Sequence, residues 1–78
     1  MKGKTMIISY KKLWHLLIER EMSNSELRKQ AHICPNTFTR LIQNREVSLL
    51  VLQKICYALK CDIGDIMEFV FEEGEQEQ

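Results

Sequence analysis

Proline occurs once and glycine three times in 78 residues, so few positions force regular structure to break. No apolar run approaches the roughly 18–20 residues of a membrane span, and the first residues lack the basic-then-apolar layout of a secretory signal. A single small cytoplasmic domain is therefore expected. The cysteines are odd in number (Cys34, Cys56 and Cys61), which argues against a disulfide framework. With His32 they match no zinc-finger spacing, so no metal or other cofactor is expected and they read as buried or capping residues. Also missing are a nucleophile beside a base, paired carboxylates in a cleft and a glycine-rich phosphate loop. A chain this short has little room for both a core and a deep cleft. Catalysis is not expected.

Basic residues are absent from positions 62–78, which hold seven acids (Asp62, Asp65, Glu68, Glu72, Glu73, Glu75 and Glu77) and a net charge of −7. All 11 Lys and Arg fall within residues 1–61 against four acids there (Glu19, Glu21, Glu26 and Glu46), a net of +7. The overall charge of zero thus hides a basic body with an acidic end, a distribution suited to a soluble polyanion binder.

What is present is mostly helical spacing. Tyr10, Leu13, Trp14 and Leu17 share one face of a first helix, capped by Ser9 and stapled by Ile8 and Leu13, that ends near Glu21. Ser23-Asn24-Ser25-Glu26 is a capping box that opens a second helix, flanked by Met22 and Leu27. Pro35 suits the first position of a third, running to about Gln43, with Cys34 as a poor cap. Ser48 caps a fourth that runs to about Leu59, with Leu52, Ile55, Cys56 and Leu59 on one stripe. Asp62 caps a short fifth holding Ile63, Ile66 and Met67. Met6-Ile7-Ile8 and Phe69-Val70-Phe71 instead look like short strands, pairing with each other or across a dimer. The expectation is an all-α, five-helix domain over residues 9–71, between an arm (residues 1–8) and an acidic tail (residues 72–78).

The second and third helices lie three or four residues apart, the layout of a helix-turn-helix whose second helix enters the DNA major groove. On the third, Phe38, Leu41 and Ile42 form an apolar stripe expected to face the core. Opposite them stand Asn36, Thr37, Arg40, Gln43 and Asn44, with no acid among them. Amide, hydroxyl and guanidinium groups are the ones that read base edges. Trp14 and Phe38 read as core, and His15 as solvated.

Residues 9–68 resemble the Cro/C1-type (XRE-like) helix-turn-helix regulators of bacteria and phage. The resemblance rests on MSNSELRKQAHICPNTFTRLIQN (residues 22–44) for the second and third helices, LQKICYAL (52–59) for the fourth and CDIGDI (61–66) for the fifth. It implies a compact lambda-repressor-like domain that binds double-stranded DNA as a homodimer, most simply as a repressor. By position, Asn36, Thr37 and Arg40 match the base-reading places, with Thr39 beside them. Asn24, Ser25, Gln43, Asn44 and Arg45 match places that hold phosphates. His32 stands where the family usually has the glycine of the turn, and Arg28 where it often has a small residue.

A second reading is a protein-binding helix-turn-helix, an adaptor or antitoxin subunit with little DNA affinity. Leu50 and Tyr57, on the fourth helix opposite its core stripe, and Phe69–Phe71 would then be a partner surface, although they fit a homodimer equally well. Lys2 and Lys4 offer a basic arm toward DNA, and Arg40 has a bland alternative in an ion pair with Glu46.

Overall fold

The computed structural model describes residues 4–73. The element order is β1 (Lys4–Ser9), α1 (Lys11–Glu19), α2 (Asn24–Ala31), α3 (Pro35–Ile42), α4 (Leu49–Leu59), a 3-10 turn (Ile63–Asp65) and β2 (Glu68–Glu73). Lys2 and residues 74–78 of the acidic tail lie outside the described residues. No helix among the described residues is long and apolar enough to cross a membrane.

The start signals act as their chemistry dictates. Ser23 Oγ accepts from the Glu26 N–H at 3.1 Å while Glu26 Oε1 accepts from the Ser23 N–H at 2.8 Å, closing the capping box of α2. Ser48 Oγ accepts from the Val51 N–H at 3.2 Å at the head of α4. Pro35 opens α3, and Cys34 makes no capping hydrogen bond there.

Three expectations need correcting. The fold has four α-helices, not five: Asp62 does cap a helical start, but after one 3-10 turn the chain straightens into β2. The cap of α1 is Tyr10 rather than Ser9, which belongs to β1, and α1 stops at Glu19. Ile42 is 56% exposed. It lies on the Phe38–Leu41 side of the helix wheel, but it is the last residue of α3 and no element covers it.

The two apolar terminal segments pair with each other. β1 and β2 form an antiparallel ribbon in which Met6 faces Phe71, Ile7 faces Val70 and Ile8 faces Phe69. Residues 4–8, expected as an arm, thus belong to this ribbon, which continues through Glu72 and Glu73.

All four α-helices exit alike. Glu21, His32, Asn44 and Lys60 take φ of 54–58°, and none is glycine. In each case the next residue's N–H reaches back five positions: Met22 to Leu17, Ile33 to Arg28, Arg45 to Arg40 and Cys61 to Cys56, at 2.9–3.0 Å. This is the Schellman geometry, which satisfies carbonyls the helix would otherwise leave orphaned. His32 therefore adopts the left-handed backbone that the turn requires, without glycine.

The core gathers Leu13 and Leu17 from α1, Leu27 and Ala31 from α2, Phe38 and Leu41 from α3, and Leu52, Ile55 and Leu59 from α4. Tyr10, Ile33 and Ile66 close it between the elements. Trp14 and Phe38 meet edge-to-face at 5.9 Å, packing α1 on α3. No charged side chain among the described residues is buried.

Candidate nucleic-acid interface

α2 ends at Ala31, residues 32–34 turn the chain, and α3 begins at Pro35. Phe38 and Leu41 anchor α3 from behind. Asn36, Thr39, Arg40 and Gln43, at spacings of three, four and seven, stand exposed on one side of it. From Cys34 to Arg45 there is no acidic residue. The surface is built of neutral polar and cationic groups alone.

The expected base-reading residues differ in how free their polar atoms are. Asn36 and Arg40 make no side-chain hydrogen bond or ion pair among the described residues, so Arg40 is not held by Glu46. The Thr39 hydroxyl donates to the Pro35 carbonyl at 3.0 Å, which leaves its methyl group and oxygen lone pairs outward. Thr37 is half-buried, with its Oγ1 3.2 Å from Cys34 Sγ. That contact holds the exposed Cys34 thiol below its ordinary range, because the hydroxyl stabilises the thiolate. Burial instead pushes the Cys56 thiol up to about 11, with Cys61 adding to the effect, and Cys61 is raised chiefly by burial.

Among the expected phosphate-holding residues, Asn24 and Ser25 are exposed in the first turn of α2. The unpaired backbone N–H groups of a first turn favour an anion. Gln43, Asn44 and Arg45 form the exit of α3. Asn44 Oδ1 accepts from the Tyr10 N–H at 3.1 Å, leaving its amide N–H₂ as a donor. Arg45 Nη1 lies 3.5 Å from Gln43 Oε1.

The Cro/C1-type HTH DNA-binding domain family matches residues 12–72. The chain belongs to this family. The crystal structure of the transcriptional regulator VanUg (Form II) is similar, with a TM-score of 0.83 and 47% identity over 92% of this chain and 93% of that one. No curated protein sequence matches.

In this Cro/C1-type domain the helix exits set Arg45 apart. The residue after the left-handed position is Met22, Ile33 or Cys61 at the other three exits, each wholly or partly buried, as the Schellman geometry favours. After α3 it is the exposed Arg45. An apolar lock has been replaced by a cation at the point where α3 leaves the surface.

Sequence reasoning missed the group that does the locking there. Tyr10 is buried, and its hydroxyl donates to the Arg45 carbonyl at 2.8 Å while its N–H donates to Asn44. These two bonds clamp the exit of α3 to the start of α1. The available signal was a tyrosine on an otherwise apolar stripe, since a buried hydroxyl demands a partner. Two cations are likewise committed to structure: Arg20 Nη1 donates to the Leu59 carbonyl at 2.6 Å, and Lys12 Nζ donates to the Gly64 carbonyl at 3.0 Å.

Proposed function

We propose that this Cro/C1-type domain is a sequence-specific, double-stranded-DNA-binding transcriptional regulator that acts as a homodimer and represses by occupying its site. The observation that carries the reading is the exposed, acid-free face of α3, gripped from behind by Phe38 and Leu41. Asn36 and Arg40 present unengaged amide and guanidinium groups suited to adenine and guanine edges, and Thr37 and Thr39 supply methyl and hydroxyl contacts beside them. Asn24 and Ser25 at the head of α2, with Gln43, Asn44 and Arg45 at the exit of α3, hold phosphates and fix the register of the helix in the groove. The likeness to VanUg, a transcriptional regulator, supports the same reading.

Selection of bound fragments from a random duplex pool at physiological salt tests this. The expected product is one enriched sequence made of two related half-sites about 34 Å apart centre to centre. Affinity should also fall linearly on a log–log plot against salt, as counterions are released. If no duplex is retarded even in dilute buffer, the DNA reading fails and the protein-binding alternative, through the exposed Leu50 and Tyr57 of α4, replaces it.

A further inference from the structure

The ribbon has one face more apolar than the other. Met6 and Ile8 of β1 share a face with Phe69 and Phe71 of β2, because paired residues and alternate residues project together. Ile8 and Phe69 also line a groove of about 530 Å³ between the ribbon, the head of α4 and the 3-10 turn, whose other apolar walls are Val47, Leu49, Leu52, Ile63 and Met67. Through Ile8 and Phe69 the ribbon face runs into the groove, so the two form one continuous apolar surface on a single chain.

We infer that this surface is where a second copy of the chain docks, face to face about a two-fold axis, with the ribbon of each copy seated in the groove of the other. Such an isologous contact needs a surface complementary to itself, which a projecting ribbon beside a groove supplies. The area is sufficient. Met6, Leu49, Ile63, Phe69 and Phe71 stand 39–76% exposed. At roughly 100 Å² each they offer about 500 Å² of apolar surface per chain, the apolar share expected of the ~800 Å² that each partner gives to a standard interface. It also matches the largest apolar patch that a typical monomer exposes, and such patches are often functional. The only charged groups lining the groove are Glu46 and Glu68, and Glu68 is already paired with Lys12 at 3.8 Å. No residue of α3 lines the groove, so docking here leaves the DNA-facing side of both copies open. The inference deepens the dimeric reading above, but the test of the interface needs no DNA.

Sedimentation velocity of the full chain at ~10–100 μM is expected to give twice the 9.3 kDa monomer mass. Phe71→Lys and, on a different element, Leu49→Lys should each raise the dimer dissociation constant at least about 30-fold, the loss typical of a central interface residue. Circular dichroism and a urea midpoint would show whether each variant still folds; Leu49→Lys leaves the ribbon untouched should Phe71→Lys disturb it. Tyr57→Lys, on the outward face of α4, should remain dimeric. A monomeric wild type, two folded variants that dimerise as the wild type does, or dissociation by Tyr57→Lys would each overturn the inference. A monomer that still selects a DNA sequence would sink this interface and the homodimer with it but not DNA binding, whereas a dimer that binds no DNA would sink only the DNA reading.

Discussion

Arg40 and Arg45 lie five residues apart and should meet a duplex in different ways. Arg40 projects from the middle of the exposed face of α3 with an unengaged guanidinium. Arg40→Ala is expected to cost about 1–3 kcal/mol and relax the preference at one base pair, read by repeating the selection with the variant. Arg45 follows the helix exit, the place proposed above for a backbone phosphate rather than a base edge. Arg45→Ala should weaken all sites alike and flatten the log–log salt slope by about one unit; uniform loss from Arg40→Ala would move Arg40 to the phosphate class. Tyr10 acts on neither directly, but holds the exit between them. Burial and the Glu46 carboxylate raise its pKa above the ordinary value, so the unfolded chain gives up this proton first as pH rises. The bond from its hydroxyl to the Arg45 carbonyl should contribute about 0.5–1.5 kcal/mol of stability. That contribution is intact below about pH 10 and is lost as pH climbs through the raised value. The urea-midpoint gap between wild type and Tyr10→Phe should therefore be clear at pH 8 and shrink above pH 10. A gap that does not change with pH would remove the hydroxyl from the account.

At the scale of elements, each helix ends on a residue that pays for its left-handed backbone. Glu21 and Lys60 are exposed, and both lie away from α3. Glycine at either should stabilise by about 0.5–1 kcal/mol, because it removes the clash of Cβ with the backbone. For a domain of this size that is a rise of about 2–8 °C in Tm by calorimetry. Valine in either place should lower Tm instead; a neutral result with both substitutions would place the strain elsewhere. These exits also show what could be read beforehand. Ser23, Pro35 and Ser48 announced three helix starts because capping is local chemistry that four residues contain in full. The exits were less legible: no glycine marks them, and the bond that closes each one depends on where the next side chain is buried. Beyond residue 61 local chemistry points two ways. The Asp62–Asp65 capping box is real, yet a single turn cannot outcompete the apolar stretch that follows it once β1 is available as a partner. Met6–Ile8 and Phe69–Phe71 were recognisable as strands from composition, but choosing between pairing within the chain and across a dimer needed the tertiary fold. Ile42 shows the same limit, since a wheel gives direction but not what lies in that direction. The Tyr10–Asn44 contact spans 34 positions, and no local pattern foretells it.

The whole molecule is a dipole of sequence: a body at +7 followed by a segment at −7. Among the described side chains, Lys12 pairs with Glu68 across that boundary, and both remain part-exposed. We propose that the acids of residues 62–78 act through the field they set up around the body, which extends about 10 Å at 0.1 M salt and about 30 Å at 0.01 M. A field of this kind lowers the affinity of the basic body for any duplex without regard to sequence, whereas the base-edge contacts proposed for α3 would act only at short range and be far less screened. Replacing Glu72, Glu73, Glu75 and Glu77 together by glutamine keeps the chain length and moves the net charge from zero to +4. Binding to selected and random duplexes alike should then strengthen in low salt by up to about tenfold, while the sequence that is selected stays the same. The gain should disappear as salt approaches 1 M, where the screening length is only about 3 Å. Fluorescence anisotropy with one selected and one scrambled duplex, titrated across that salt range, reads both quantities. A gain confined to one duplex, or one that persists near 1 M salt, would point to a contact made by the tail itself, and no gain at low salt would leave the charge division without a part in DNA binding.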